Sequence, residues 1–400
     1  MGKYRDGDEL KPLGRTAAQW KQWAQACGLR SFHGAQVFDW LHRKRELDPE
    51  AMTNLSKHAR GLLAVELETA VPRVVAVREA QDGTRKVVLA LRDDSLIESV
   101  LIPMDEAQED VEADAGEDEA VTAAEPDAQG GGDLPTHRST PRSVRVTQCV
   151  STQVGCAMGC EFCASGASGL HRHLDPDEIL AQVLVAHRYL RPSERLTNVV
   201  FMGMGEPLHN YDATVHAVRL LQYPGGLGLS SRRITISTVG LIPELERLGA
   251  EFQGHIGLAV SLHAADDETR SRIVPINRRY PLSALMQTLR GYPLPPRRRI
   301  TIEYALIDGV NDSVAMAKQL AKLLRGVAAK VNLIPVNAVA HGAWRPSPEQ
   351  RVKQFQRELN NLNVSCFIRR SRGDSISAAC GQLARQCRDV ASGPRAQANG

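Results

Sequence analysis

Cys156, Cys160 and Cys163 are the residues of this 400-residue chain best equipped for chemistry, because their C-x3-C-x2-C spacing sets three thiols on one short loop. Three thiolates held that closely suit a cubane [4Fe–4S] cluster and leave its fourth iron without a protein ligand. An iron left open is available for chemistry, since a small molecule can chelate it. A structural zinc site wants four closed ligands instead. No further Cys or His stands at the usual local spacing, although His171 and His173 lie close enough to keep zinc as an alternative.

A second signal is the run Met202-Gly-Met-Gly205-Glu206-Pro207 at the end of the next strand-like segment. Glycines there let a backbone approach a ligand closely. The Glu206 carboxylate can accept hydrogen bonds from a ligand's amino group. Other polar residues close later strand-like runs: Ser237, then Ser261, Leu262 and His263, then Asn337. Each alone reads as an ordinary structural residue. Together they converge on one mouth if the strands are parallel, because ligands of such sheets bind at the carboxyl ends of the strands.

The elements that must position them alternate in type. Strand-like runs at 144–152, 198–203, 233–238, 256–263, 300–306 and 330–335 are separated by amphipathic helices, among them 176–189, 211–222, 282–289 and 313–324. Such alternation means a parallel sheet. Six units are too few to close an eight-fold barrel, so the expected α/β architecture is an open, partial (β/α)6 barrel over residues 144–371. A last strand at 364–370 and a helix from about Ser375 complete it, with 372–400 as a C-terminal segment. Upstream, residues 1–103 read as a small helical and α+β module, with short helices over 15–66 and strands at 71–77, 86–91 and 95–102.

Between them, residues 104–143 are rich in Asp, Glu, Ala and Gly and hold almost nothing that forms a core, which predicts a disordered insertion. Asp105 to Asp133 contains twelve acidic residues and no Lys or Arg, so removing those charges from a net of +3 leaves the remainder at +15. That balance, with Arg232-Arg233, Arg278-Arg279, Arg297-Arg298-Arg299 and Arg369-Arg370, permits a polyanionic partner, though a solvated surface explains such charge as readily. Eight clustered cysteines are too few for a disulfide scaffold and imply a reducing compartment. The polar opening residues do not read as a secretory signal, and no apolar run is long enough to cross a bilayer. The expectation is a cytoplasmic protein.

These residues together resemble the RlmN/Cfr family of radical S-adenosylmethionine (SAM) RNA methyltransferases. The resemblance is carried by Thr147-Gln-Cys149-Val-Ser-Thr-Gln-Val-Gly-Cys156, the Gly-Met-Gly-Glu-Pro run, Ser261-Leu-His263-Ala and Asn332-Leu-Ile-Pro-Val-Asn337. Arg372-Gly-Asp-Ser-Ile-Ser-Ala-Ala-Cys380-Gly-Gln-Leu and Met52-Thr-Asn-Leu-Ser extend it over nearly the whole chain outside the insertion. It implies a radical-SAM partial barrel, with a [4Fe–4S] cluster on Cys156, Cys160 and Cys163. Two SAM molecules are used per turnover, bound by Gly205, Glu206, Ser237, Ser261, Leu262, His263 and Asn337. The implied reaction methylates an adenine carbon, carbon 2 with carbon 8 as the alternative, in 23S ribosomal RNA, with transfer RNA as a candidate second substrate.

In the mechanism this implies, Cys380 carries the methyl group and Glu98 accepts the proton lost by the base. Cys149 releases the product by a transient disulfide with Cys380. A flavodoxin-type electron donor is also implied, and a monomer is the default state. The bland readings are an exposed strand carboxylate for Glu98, a buried strand thiol for Cys149 and a packed helix cysteine for Cys380. Cys27, Cys366 and Cys387 match no motif and read as structural. Two other functions compete: a radical enzyme acting on a protein or small molecule, and a non-catalytic RNA-binding protein with a structural metal. The insertion departs from the family pattern and puts Glu98 most in doubt. If it lies beside the RNA site, its acidic residues are placed to imitate a nucleic-acid strand.

Overall fold

A computed structural model describes residues 11–104, 143–336, 344–369, 372–378 and 382–383. The chain opens with helices α1 (Ala17–Ala26), α2 (Ser31–Phe38) and α3 (Lys57–Glu68). Thr16 starts α1 through a reciprocal capping box with Gln19, and Trp20, Trp23 and Ala24 form its buried stripe. Gly34 of α2 cannot carry a side chain, because a Cβ there would lie 2.2 Å from the Trp20 carbonyl oxygen. That contact fixes how closely α1 and α2 cross.

Strands β1 (Arg73–Glu79), β2 (Arg85–Ala90), β3 (Leu96–Pro103) and β4 (Val144–Cys149) follow. The short β5 (Gln153–Gly155), helix α4 (Ala164–Ala167) and β6 (Leu170–His173) carry the cysteine loop. Alternation then proceeds through α5 (Pro176–Ala186), β7 (Glu194–Phe201), α6 (Tyr211–Gln222), β8 (Ile234–Thr238), α7 (Ile242–Phe252) and β9 (Gly257–Ser261). Helices α8 (Asp267–Ile273) and α9 (Leu282–Arg290), β10 (Ile300–Leu306), α10 (Val314–Leu323), β11 (Ala329–Pro335), α11 (Glu349–Asn361) and β12 (Cys366–Ile368) complete the order.

Ten strands form one sheet in the order β1-β2-β3-β4-β7-β8-β9-β10-β11-β12. From β4 to β12 every pairing is parallel, as the alternation requires. The sheet stays open, with β1 and β12 at its edges. The upstream strands do not form a sheet of their own. They extend this one, because β3 runs antiparallel beside β4 with Val100 opposite Cys149 and Pro103 opposite Val146.

Two details depart from the expected boundaries. The continuous run at 144–152 breaks after Cys149, and residues 153–155 pair instead with β6. The cause is Gln182 on α5: its Oε1 accepts the Ser151 N–H at 2.8 Å and its Nε2 donates to the Ser151 carbonyl at 2.8 Å. A side-chain amide thus replaces the strand ladder and releases the chain into the cysteine loop. The expected helix from about Ser375 is, among the described residues, a single 3-10 turn at Asp374–Ile376.

Residues 104 and 143 leave the sheet beside the first residues of β4, where the Met104 N–H donates to the Arg145 carbonyl at 2.7 Å. That is the end of the parallel strands opposite the cysteine loop. Among the described residues, no helix is long and apolar enough to cross a membrane.

Candidate active site at the strand ends

The cysteine loop is pinned at both ends. Gly155 takes φ +76°, and a Cβ on it would meet the Gly169 carbonyl oxygen at 1.8 Å. The Cys156 N–H donates to that same oxygen at 2.8 Å. Midway, Phe162 packs edge-on against the His263 ring at 4.8 Å, which ties the loop to the end of β9.

Cys156 and Cys160 are buried, Cys163 is half-buried, and all three line one cavity. Burial pushes the Cys156 thiol up to about 12 and the Cys160 thiol well above its ordinary value, with Cys163 and Glu206 adding to both. Thiolates gathered this deeply need a cationic group to ionise, and iron supplies it. A cubane gives each thiolate its own iron, so three thiols on one loop fit a cluster. His171 and His173 sit on β6, and His173 Nδ1 pairs with Gln153 Nε2 at 3.0 Å.

Gly205, Glu206, Ser237, Ser261 and His263 line the same cavity, on successive strand ends. The glycines there serve packing first. A Cβ on Gly205, at φ +104°, would fall 2.6 Å from Gln153, and one on Gly203 would fall 2.7 Å from the Val150 backbone. Glu206 is almost wholly buried, with Oε1 accepting the Leu208 N–H at 3.1 Å and Oε2 the Val239 N–H at 2.9 Å. Burial raises its carboxyl to about 7.

His263 has φ +62° and takes the Ala305 N–H on Nδ1 at 2.9 Å, so its proton sits on Nε2. Burial, with Arg270 nearby, lowers its pKa to about 3, and the ring is neutral. Leu262 turns into the core, and its backbone N–H donates to the Glu303 carbonyl at 3.0 Å. Asn337 lies outside the described residues.

Two of the three remaining candidates, Glu98 and Cys149, have partners that spacing did not reveal. Glu98 is fully buried rather than exposed, with Lys86 Nζ 3.6 Å from its Oε2. The same Nζ donates to the Ser377 carbonyl at 3.1 Å. Cys149 is buried at the end of β4, where its carbonyl accepts Ser99 Oγ–H at 2.8 Å. Ser151 Oγ donates to the Glu98 carbonyl at 2.7 Å and accepts the Met204 N–H at 2.9 Å. Cys380 lies outside the described residues, as does Cys387. On its two sides, Ser377 is held by Lys86, and the Leu383 carbonyl accepts Ser165 Oγ–H at 3.2 Å, two residues past Cys163.

Arg270 was also missed. It is fully buried and donates to the carbonyls of Leu262 at 3.0 Å and Val239 at 2.7 Å, clamping the ends of β8 and β9. Its charge lowers the cost of thiolate at Cys160.

The pattern described as the Radical SAM superfamily matches residues 150–321, and that of the ribosomal RNA large subunit methyltransferase N-terminal domain matches 12–68. A crystal structure of a radical SAM methyltransferase from Sphaerobacter thermophilus is 40% identical, superposes with a TM-score of 0.81, and covers 94% of this chain and 99% of its own. The dual-specificity RNA methyltransferase RlmN of Sorangium cellulosum is 52% identical, over 94% of this chain and 95% of its own length. The chain belongs to the RlmN family. Another relative of that name, from Syntrophobacter fumaroxidans, is 44% identical over 92% of this chain and 96% of its own. The cofactors of this RlmN family chain are therefore a [4Fe–4S] cluster and SAM, and its reaction class is radical SAM methyl transfer.

Proposed function

We propose that this chain methylates carbon 2 of an adenine in 23S ribosomal RNA, and in transfer RNA as its second substrate, with Cys380 as methyl carrier. The observation that carries this reading is the Lys86 link. It joins the buried Glu98 carboxylate to Ser377, three residues before Cys380, while Ser165 beside the cluster loop holds Leu383, three residues after it. A generic radical enzyme has no use for the pair Cys149 and Cys380. The match of residues 12–68 to a ribosomal RNA methyltransferase domain supports the choice of RNA.

The cluster and SAM supply the 5′-deoxyadenosyl radical, and Cys156, Cys160 and Cys163 are the residues placed to hold the iron. The chain does the rest. Cys380 takes a methyl group from one SAM and gives a hydrogen atom from it to the radical made from a second. The resulting methylene radical would bond the ring carbon and Glu98 would accept the ring proton, with one electron passing back to the cluster. The Cys149 thiolate would then attack the Cys380 sulfur, forming the disulfide as the carbon–sulfur bond breaks. The departing carbon would take up a proton to become the methyl group, and two electrons from the donor would reopen the disulfide. A flavodoxin-type electron donor, a monomer and a cytoplasmic setting complete the proposal.

The test is mass spectrometry of the Cys380 peptide from anaerobic, cluster-loaded protein given SAM. One added methyl group, absent in Cys380→Ala, is the expected result. An unmodified Cys380 in protein that still cleaves SAM would move the reading to another substrate class.

Glu206 gives a pH dependence with a definite sign. Its folded pKa, about 7, lies above the ordinary carboxylate value, so its contribution to stability is present at low pH and is lost as pH rises through about 7. The ionised form is the one that accepts from the amino group of SAM. SAM affinity should therefore tighten between pH 6 and 8, measured by equilibrium dialysis on cluster-loaded protein. In Glu206→Gln that rise should vanish; an unchanged pH profile would remove Glu206 from the site.

A further inference from the structure

We infer that Glu303 holds the ribose hydroxyls of SAM, anchoring the nucleoside end of the ligand as the cysteine loop anchors the other. The inference rests on the SAM reading of the cavity and assigns a residue that no motif pointed to.

Glu303 sits mid-strand on β10, only 4% exposed, and lines the cavity. Its Oε1 accepts Asn332 Nδ2–H at 3.3 Å. Its Oε2 is buried, and among the described residues nothing donates to it. An acceptor stripped of water and given no donor is costly, so it marks a place where a ligand completes the hydrogen bonding. Burial raises its carboxyl above the usual range, while Arg369, which lines the same cavity, opposes that and favours the carboxylate. Such an oxygen accepts only, so the ligand must bring a hydroxyl or an amino group.

Position selects the hydroxyl. Glu303 is the register partner of Ser261 on β9 and of Asn332 on β11. A ligand whose amino end lies at Glu206 and the cysteine loop extends from β7 across β8 and β9, and its nucleoside arrives at β10 and β11. There Ala305, Ile334 and Val336 supply an apolar wall for a flat purine. The sugar beside that purine meets Glu303. Carboxylates hold ribose hydroxyls in the same manner in dinucleotide-binding folds.

The experiment measures binding, not turnover. Cluster-loaded full-length protein is dialysed against SAM and its 2′-deoxy and 3′-deoxy analogues, using wild type and Glu303→Gln. Wild type should bind at least one deoxy analogue about 10- to 100-fold more weakly than SAM. Glu303→Gln should lose a similar factor for SAM and stop distinguishing the analogue. Equal binding of all three ligands by wild type overturns the inference without recourse to any variant. A variant that binds SAM normally but loses a substrate RNA oligonucleotide also overturns it, and gives Oε2 to an adenine amino group instead. Failure of wild type to bind SAM would instead overturn the cofactor reading beneath it.

Discussion

Alanine at Cys156, Cys160 or Cys163 should abolish SAM cleavage and bring iron content after anaerobic reconstitution down from about four per chain towards zero. The fold should survive. The loop is anchored through backbone contacts, Cys156 N–H to Gly169 and Glu161 N–H to the Ile273 carbonyl, which an alanine keeps. Removing Cys156 or Cys163 also takes away a neighbouring thiol that adds to burial in raising Cys160. Iron and sulfide assays with circular dichroism read the two parts separately. A variant retaining full iron and the visible absorption of the cluster would show that its cysteine is not a ligand.

The second large effect falls on Lys86 and Glu98. Both side chains are fully buried, so removing one takes an opposite charge away from the other in the interior. Lys86→Met should cost about 3–5 kcal/mol in chemical denaturation, and Lys86→Met combined with Glu98→Gln should recover much of it. Glu98→Gln alone should slow RNA methylation by roughly 10²- to 10⁴-fold, the usual worth of a general base, while Cys380 still acquires its methyl group. If Cys380 methylation fell equally, Glu98 would be supporting the carrier segment and not taking the proton.

Much of this was readable in advance, for a physical reason. The cysteine spacing is local, and chemistry restricts what three thiols on one loop can do. The strand-helix alternation is local too, so the parallel order from β4 to β11 follows from pattern alone. What stayed hidden depends on residues far apart in the chain. Arg270 stands in the polar stretch Asp266-Asp-Glu-Thr-Arg270, which reads as a solvated helix face until β8 and β9 bring two carbonyls to it. Lys86 looks like an ordinary strand lysine, and only the antiparallel pairing of β2 with β3 sets it beside Glu98. Gln182 likewise carries no motif, yet it ends a strand.

The glycine run teaches the opposite lesson. The spacing flagged the right place, at the cavity wall, but the close approach that demands glycine is to Gln153 and Val150 of the chain itself. Pattern located the residues; packing decided their role.

The strands on either side of the acidic segment are antiparallel neighbours that a hairpin of two to five residues would join. The position between Met104 and Val144 is thus a natural port for engineering. A fluorophore, an affinity handle or a tethered reductase placed there would start from the strand ends opposite the cysteine loop. The front would stay open to a substrate as bulky as a ribosomal subunit.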